Sequence, residues 1–165
     1  MSETYVECLV KAKQKTGMKL LKYLLIALTV VFVLLMLMGF SLALIAAVVT
    51  GVGAYFVNLY SDLEYEYLYL DRELVIDKVM AKSKRKRVAT YQLDRMEILA
   101  PIHSYQLDNY KNRQVKIKDY SIGEELKPDL RYALFYEGGE KLILSPSEEM
   151  VKAMRNAAPR KVFTN

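Results

Sequence analysis

Charge is absent from Tyr23 to Val57, a run of 35 residues. A soluble core segment of that length shows one face to water and carries some charge there, so a bilayer is the simpler reading. Cysteine is almost absent too: Cys8 stands alone. That excludes an internal disulfide and agrees with a reducing compartment. His103 is the only histidine, so no set of zinc-type ligands can be assembled from the chain. Among the glycines, Gly138-Gly139 reads as a turn and Gly51-Val52-Gly53 lies in the apolar run. No glycine-rich phosphate loop and no nucleophile-elbow pattern remains. Between Lys22 and Asn58 the polar side chains, apart from the tyrosines, are Thr29, Ser41 and Thr50. Such sparse polarity argues against a transport path.

What is present divides into two unlike regions. The chain of 165 residues has room for one domain and a small extra element. Net charge is +5 and unevenly placed. Residues 1–22 hold Lys11, Lys13, Lys15, Lys19 and Lys22 against Glu3 and Glu7. The remaining 19 basic side chains, from Asn58 onward, meet 17 acidic ones. That balance gives no sign of nucleic-acid binding, and the excess sits beside the apolar run, where the positive-inside rule puts it.

A single helix over the apolar run would be about 52 Å long, against a hydrocarbon core of about 30 Å. Two helices fit instead, over 19–38 and 41–58, with a break at Gly39-Phe40-Ser41. Lysines before the first helix place that end, and therefore both ends, in the cytoplasm. Tyr23 at one end and Tyr55, Phe56 and Tyr60 at the other suit an interfacial aromatic belt. Ala43, Ala47 and Gly51 recur at four-residue spacing, a face on which helices pack closely. It serves either the other helix of the same hairpin or a homo-oligomer seam. The run is too long for the apolar part of a cleaved signal peptide. Residues 4–16 leave two readings open, an interfacial amphipathic segment or a strand added to the soluble domain.

From Leu63 the hydrophobic period becomes roughly two, which predicts strands over 63–70, 74–81, 87–93, 96–100, 114–122, 130–137 and 140–144. Tyr65, Tyr67 and Tyr69 share one strand face and read as wall or core. Ser145-Pro146-Ser147-Glu148 reads as a capping box, with Ser145 at the N-cap of a final helix that Pro159 stops. The expected layout is a basic, interfacial segment over 1–18, a transmembrane hairpin over 19–58, a β domain over 60–158 and a basic tail over 159–165.

Two stretches carry a resemblance. EYEYLYLDRELVIDKVMAKSKRKRVATYQLDRMEILAP is similar to the first half of bacterial pleckstrin-homology-like (PH-like) domains that follow short transmembrane helices, and YALFYEGGEKLILSPSEEMVKAMRNAAPR to their final hairpin and helix. Most of the chain resembles small, uncharacterised two-helix bacterial membrane proteins of Gram-positive anaerobes. The resemblance implies an α+β membrane protein: an N-terminal helical hairpin, then a seven-stranded PH-like barrel or sandwich capped by one helix. It implies no catalytic residue, no cofactor and no metal.

Two places invite a function. Lys82, Lys84, Arg85, Lys86 and Arg87 form a basic hairpin that suits an anionic lipid headgroup or a partner; the plain alternative is a solvated turn that guards a sheet edge. The loop 101–113 carries His103, Tyr105 and Tyr110 and suits a partner; the plain alternative is a loop packed by its own tyrosines. His103, Ser104 and Asp108 can be drawn as a catalytic group, but any chain offers such sets. The expected function is non-enzymatic: a membrane-tethered interaction or scaffold module that binds a protein at the cytoplasmic face. The alternatives are lipid recognition through 82–87 and an accessory subunit of a membrane enzyme or transporter.

Overall fold

The computed structural model describes residues 5–13, 16–61, 63–80, 82, 84–123 and 128–164. Lys15 of the basic cluster, Ala81 at the end of the expected 74–81 strand, Ser83 of the basic hairpin, and Asn165 lie outside the described residues. The chain divides into two units, one helical and one β-rich.

The helical unit is a pair of helices, α1 (Thr16–Leu37) and α2 (Ala43–Ser61), both long and apolar enough to cross a membrane. At 1.5 Å per residue they measure about 33 and 28 Å. Both extend further from the connecting turn than the sequence suggested. The turn starts where Gly39 takes φ +99°, closed by Phe40 N–H to Leu35 O (3.2 Å) and Gly39 N–H to Met36 O (3.0 Å). This crossed pair is a Schellman closure, which a glycine permits at no steric cost. α1 buries none of its residues, and α2 buries Ala47. The small face of α2 meets α1. A Cβ added at Gly51 would lie 3.6 Å from Thr29 Cγ2, and one at Gly53 3.7 Å from Leu25 Cδ1. Thr29 Oγ1 donates to Thr50 Oγ1 at 3.0 Å, while both hydroxyls also reach back to carbonyls of their own helices. Ala43 is half-buried on the same side, and Leu44, Ile45, Val48 and Val49 are exposed.

Among the described residues the β-rich unit has eight strands, one more than the seven expected. The additional strand is β1 (Val6–Lys11), which precedes the helices. It pairs antiparallel with β2 (Leu63–Leu70), from Val6 opposite Tyr69 to Lys11 opposite Glu64. This decides between the two readings of 4–16, and the β domain is not confined to 60–158. With β3 (Glu73–Met80) and β4 (Lys84–Gln92) these strands form one sheet in the order β1-β2-β3-β4. Asp71 and Arg72, at φ +48° and +65°, make the tight turn between β2 and β3.

The second sheet holds β5 (Met96–Pro101), β6 (Lys116–Asp119), β7 (Tyr132–Tyr136) and β8 (Glu140–Leu144) in the order β5-β7-β8-β6. β7 and β8 form a hairpin with Gly138 and Gly139 both at positive φ. Only part of the expected 114–122 strand is formed, as a short edge strand parallel to β8.

One core joins the sheets: Val6 and Val10 of β1, Tyr67 and Tyr69 of β2, Ile76, Leu99, Leu134 and Leu142 are all buried. Helix α3 (Glu148–Ala157) adds Met150, Val151, Ala153 and Met154 to it. Its N-cap is Ser147, whose hydroxyl accepts from Met150 N at 3.2 Å, not Ser145. Ser145 is otherwise engaged: its N–H donates to Tyr67 Oη and its hydroxyl accepts from Ile122 N, both at 3.3 Å. Those bonds keep Ser145 extended, so the helix starts later, with Glu148 and Glu149 in its first turn, the favourable end for acids. Lys161–Phe163 run along β5, with Leu99 N–H to Lys161 O and Phe163 N–H to Leu99 O, each 2.8 Å.

Candidate functional site

The basic residues at 82–87 do not form a simple turn. Lys82 is at the tip with φ +56°, and from Lys84 onward the chain is strand β4. Strand alternation divides the charges. Arg85 Nη1 lies 3.1 Å from Glu66 Oε2, and Arg87 Nε lies 3.4 Å from Asp77 Oδ1. Lys82, Lys84 and Lys86 are exposed and make no ion pair among the described residues. The arginines thus belong to a charge ladder across the first sheet, and the lysines are available to something else.

Glu66 is the deepest member of that ladder, only 2% exposed. Burial raises its pKa above the usual carboxylate range, and the neighbouring Glu7 adds to the rise against Arg85. Glu7 itself is held lower, by the hydroxyl of Tyr5 at 2.9 Å. Nothing in the sequence marked Glu66: in an alternating strand it reads as solvent-facing.

The loop after β5 is ordered by a short 3-10 helix, Tyr105–Tyr110, capped by Ser104, whose hydroxyl accepts from Gln106 N. It separates the three candidate residues. Tyr105 is 72% exposed. Tyr110 packs on Phe135 at 4.8 Å between centroids, with the Arg113 guanidinium 4.5 Å above its ring. His103 Nε2 meets Asp129 Oδ2 at 3.0 Å. Asp129 in turn clasps the guanidinium of Arg131, which is 6% exposed, at 2.7 and 2.8 Å. These bonds hold the Asp129 carboxyl far below its ordinary value, against the effect of burial, with His103 contributing. The grouping of His103, Ser104 and Asp108 is not assembled, since Asp108 pairs with Lys111 at 2.6 Å. Among the described residues no group of three His, Cys, Asp or Glu suits a metal ion.

A third polar cluster escaped sequence reasoning because its members come from three strands. Lys118 Nζ of β6 lies 2.8 Å from Glu140 Oε1 of β8 and 3.3 Å from Tyr91 Oη of β4. Glu140 raises the Lys118 pKa, and burial pushes the Tyr91 phenol up to about 12. Tyr91 also meets Tyr136 edge to face at 5.0 Å. The cluster ties the two sheets together, and its Lys118 and Glu140 are spent on each other.

Two four-stranded sheets around a shared core, with one helix packed on it at the end of the chain, are the arrangement of a PH-like domain. The chain belongs to the family described as Bacterial PH-like domain (DUF6106), which matches residues 2–164. The match spans β1, both apolar helices and the β strands that follow. PH-like domains are generally non-catalytic, and membership suggests an interaction or scaffold module. No curated protein and no solved structure matches the chain.

Proposed function

We propose that this protein is a non-enzymatic module tethered to the cytoplasmic face of a bacterial membrane, where its β unit binds a protein partner or holds a complex. One observation carries the reading: β1 and β2 are hydrogen-bonded neighbours, and the two apolar helices are inserted between them in the chain. Strands that pair must lie in one compartment, so a bilayer-spanning hairpin returns the chain to the side it left. The lysines before α1 favour the cytoplasm for that side. An enzyme would need convergent reactive groups; a scaffold needs a rigid surface and a fixed address, which the ladder and the hairpin supply. The loop with exposed Tyr105 offers such a surface.

The test is photo-cross-linking of the full-length protein in its native membrane, with a benzoylphenylalanine in place of Tyr105. A discrete protein adduct, lost when the probe is moved to Leu107, which is buried, is expected. Adducts to lipid alone would overturn the reading. If the captured partner is a membrane enzyme or transporter, the protein is its accessory subunit.

The unpaired Lys82, Lys84 and Lys86 favour a second reading, in which this ribbon contacts anionic lipid headgroups. Its test is a fluorophore on Lys86→Cys in a Cys8→Ala chain, reconstituted in neutral or anionic vesicles. Lipid contact shifts the emission in anionic vesicles alone. Salt reverses the shift, because screening shortens from about 10 Å at 0.1 M to about 3 Å at 1 M. Equal emission in both vesicles removes this reading.

A further inference from the structure

One carboxyl of the first sheet is buried without being fully bonded. Glu66 of β2 is 2% exposed, and its Oε2 accepts no hydrogen bond among the described residues, although Arg85 Nη1 stands 3.1 Å away. A buried, ionised and unbonded oxygen is costly, so the arrangement needs a physical reason. Leu9 stands opposite Glu66 in the β1–β2 ladder, so Glu7, two residues along β1, is the diagonal neighbour of Glu66 on the same face. The two carboxyls are in hydrogen-bonding contact. Two carboxylates only accept and cannot bond to each other, so one of the pair carries a proton.

The surroundings decide which one. Glu7 is exposed and already accepts from the Tyr5 hydroxyl at 2.9 Å, which suits a carboxylate. Glu66 is buried and feels two acids, Glu7 of β1 and Asp77 of β3. Burial and two negative neighbours both put the proton on Glu66. Asp77 takes Arg87 of β4 at 3.4 Å, so Arg85 is the cation left to Glu66. The Arg85 side chain is 65% exposed and close to Glu66, but it does not yet bond to the open oxygen.

We propose that one proton held between Glu66 and Glu7 is a switch for the charge of the basic ribbon on β4. While the proton is present, Glu66 donates it to Glu7, which ties β1 to β2, and Arg85 stays free beside Lys84 and Lys86. When the proton leaves to water, Glu66 and Glu7 repel each other, and the bare Glu66 carboxylate accepts a hydrogen bond from Arg85. The ribbon then presents one free cation fewer, and falling pH restores it. The fold favours neutral Glu66, so the exchange takes place as pH rises through the folded value, above the ordinary carboxylate range. This goes beyond the module reading and holds whatever the ribbon meets.

The test is magnetic resonance of the full-length protein in nanodiscs of neutral lipid, isotope-labelled at the glutamate carboxyls and the arginine side chains. Glu66 is expected to titrate above about 4.3, where an unperturbed glutamate does, and Glu7 below it. The Arg85 side-chain signal shifts with the Glu66 midpoint. At a pH above that midpoint the Arg85 guanidinium N–H groups exchange with water about three-fold or more slowly than in a Glu66→Gln chain at the same pH; below it the two chains agree. Glu7→Gln, a change at an exposed position, lowers the Glu66 midpoint, because the acceptor that shares the proton loses its charge. An Arg85 signal that ignores the titration of Glu66, or exchange equal in both chains throughout, overturns the switch. A Glu66 midpoint that Glu7→Gln does not move overturns the shared proton, since burial alone then accounts for it. If the Glu66→Gln chain does not fold, the titrations of the unaltered and Glu7→Gln chains decide.

Discussion

Lys11 stands opposite Glu64 at the end of the β1–β2 ladder, and both apolar helices lie between these two residues in the chain. The β unit is therefore built from a strand made before the hairpin and strands made after it. Closing so long a connection costs little more than closing a shorter one, because loop entropy grows only logarithmically. An antiparallel hairpin lowers that cost further by returning the chain to where it started.

A chain that begins at residue 60 is therefore expected to fold poorly. It lacks Val6 and Val10, each 6% exposed in the core, whose burial is worth about 1.5–3 kcal/mol apiece. A chain that keeps 1–13 and joins it to residue 63 through a short Gly-Ser linker is expected to recover a cooperative urea transition. Equal transitions for the two chains would show that β1 is dispensable.

The hairpin should distinguish residue size at Gly51. Ala is tolerated there, since its Cβ meets Thr29 Cγ2 at an ordinary 3.6 Å, whereas Leu must push the helices apart. Thr29→Val removes the bond to Thr50 and should cost about 0.6 kcal/mol, the typical value between helices in a bilayer. Unfolding of the reconstituted protein, followed by circular dichroism, should rank the variants in the order Ala, Val, Leu from mild to severe.

Ser147→Ala should destabilise the protein by about 0.5–2 kcal/mol, because the hydroxyl that accepts from Met150 N is lost. Chemical denaturation of the full-length protein in detergent measures it. Ser147→Asp, which keeps an acceptor at the cap, should restore most of the loss, and no rescue would mean that the serine acts elsewhere.

Acid should weaken the clasp between Asp129 and Arg131. Arg131 chiefly, and His103 in addition, hold the Asp129 carboxyl far below its ordinary value, so the folded state favours the ionised form. That contribution is complete above the unfolded value of about 3.9 and fades as pH falls below it toward the folded one. Asp129→Asn should therefore lower the thermal midpoint most at neutral pH. The gap from the unaltered protein should narrow below about pH 3.9. A gap that stays constant down to that acidity would place the stabilisation in packing rather than charge.

Burial makes the opposite case at Glu66, whose pKa is raised, so its neutral form is the one that the fold prefers. Stability from this group is present at low pH and is lost as pH rises through the folded value. Glu66→Gln should raise the thermal midpoint at neutral pH and change it little in acid. A loss at neutral pH would show that the contact with exposed Arg85 outweighs the burial of the charge.

The sequence by itself determined the elements whose signals are local. A run of 35 residues without charge marks a segment apolar enough to cross a membrane. Its length required two helices, and Gly39 marked their turn because left-handed backbone is cheap there. Period-two alternation located β2, β3, β5 and the β7–β8 hairpin, and the inward tyrosines followed from the pleat. Tertiary structure alone decided the rest. Val6–Lys11 became a strand because β2, far along the chain, offered it an edge; the six residues carry no signal that separates this from an interfacial segment. Ser147 displaced Ser145 as the cap because Tyr67 and Ile122, on distant elements, had claimed Ser145. Arg85 and Arg87 were set apart from their lysine neighbours by Glu66 and Asp77 on adjacent strands. Val162 was buried because β5 had a vacant edge beside it. Backbone propensity acts over a few residues, but edge pairing, burial and ion pairing depend on which distant side chain arrives, and that is settled only when the whole core closes.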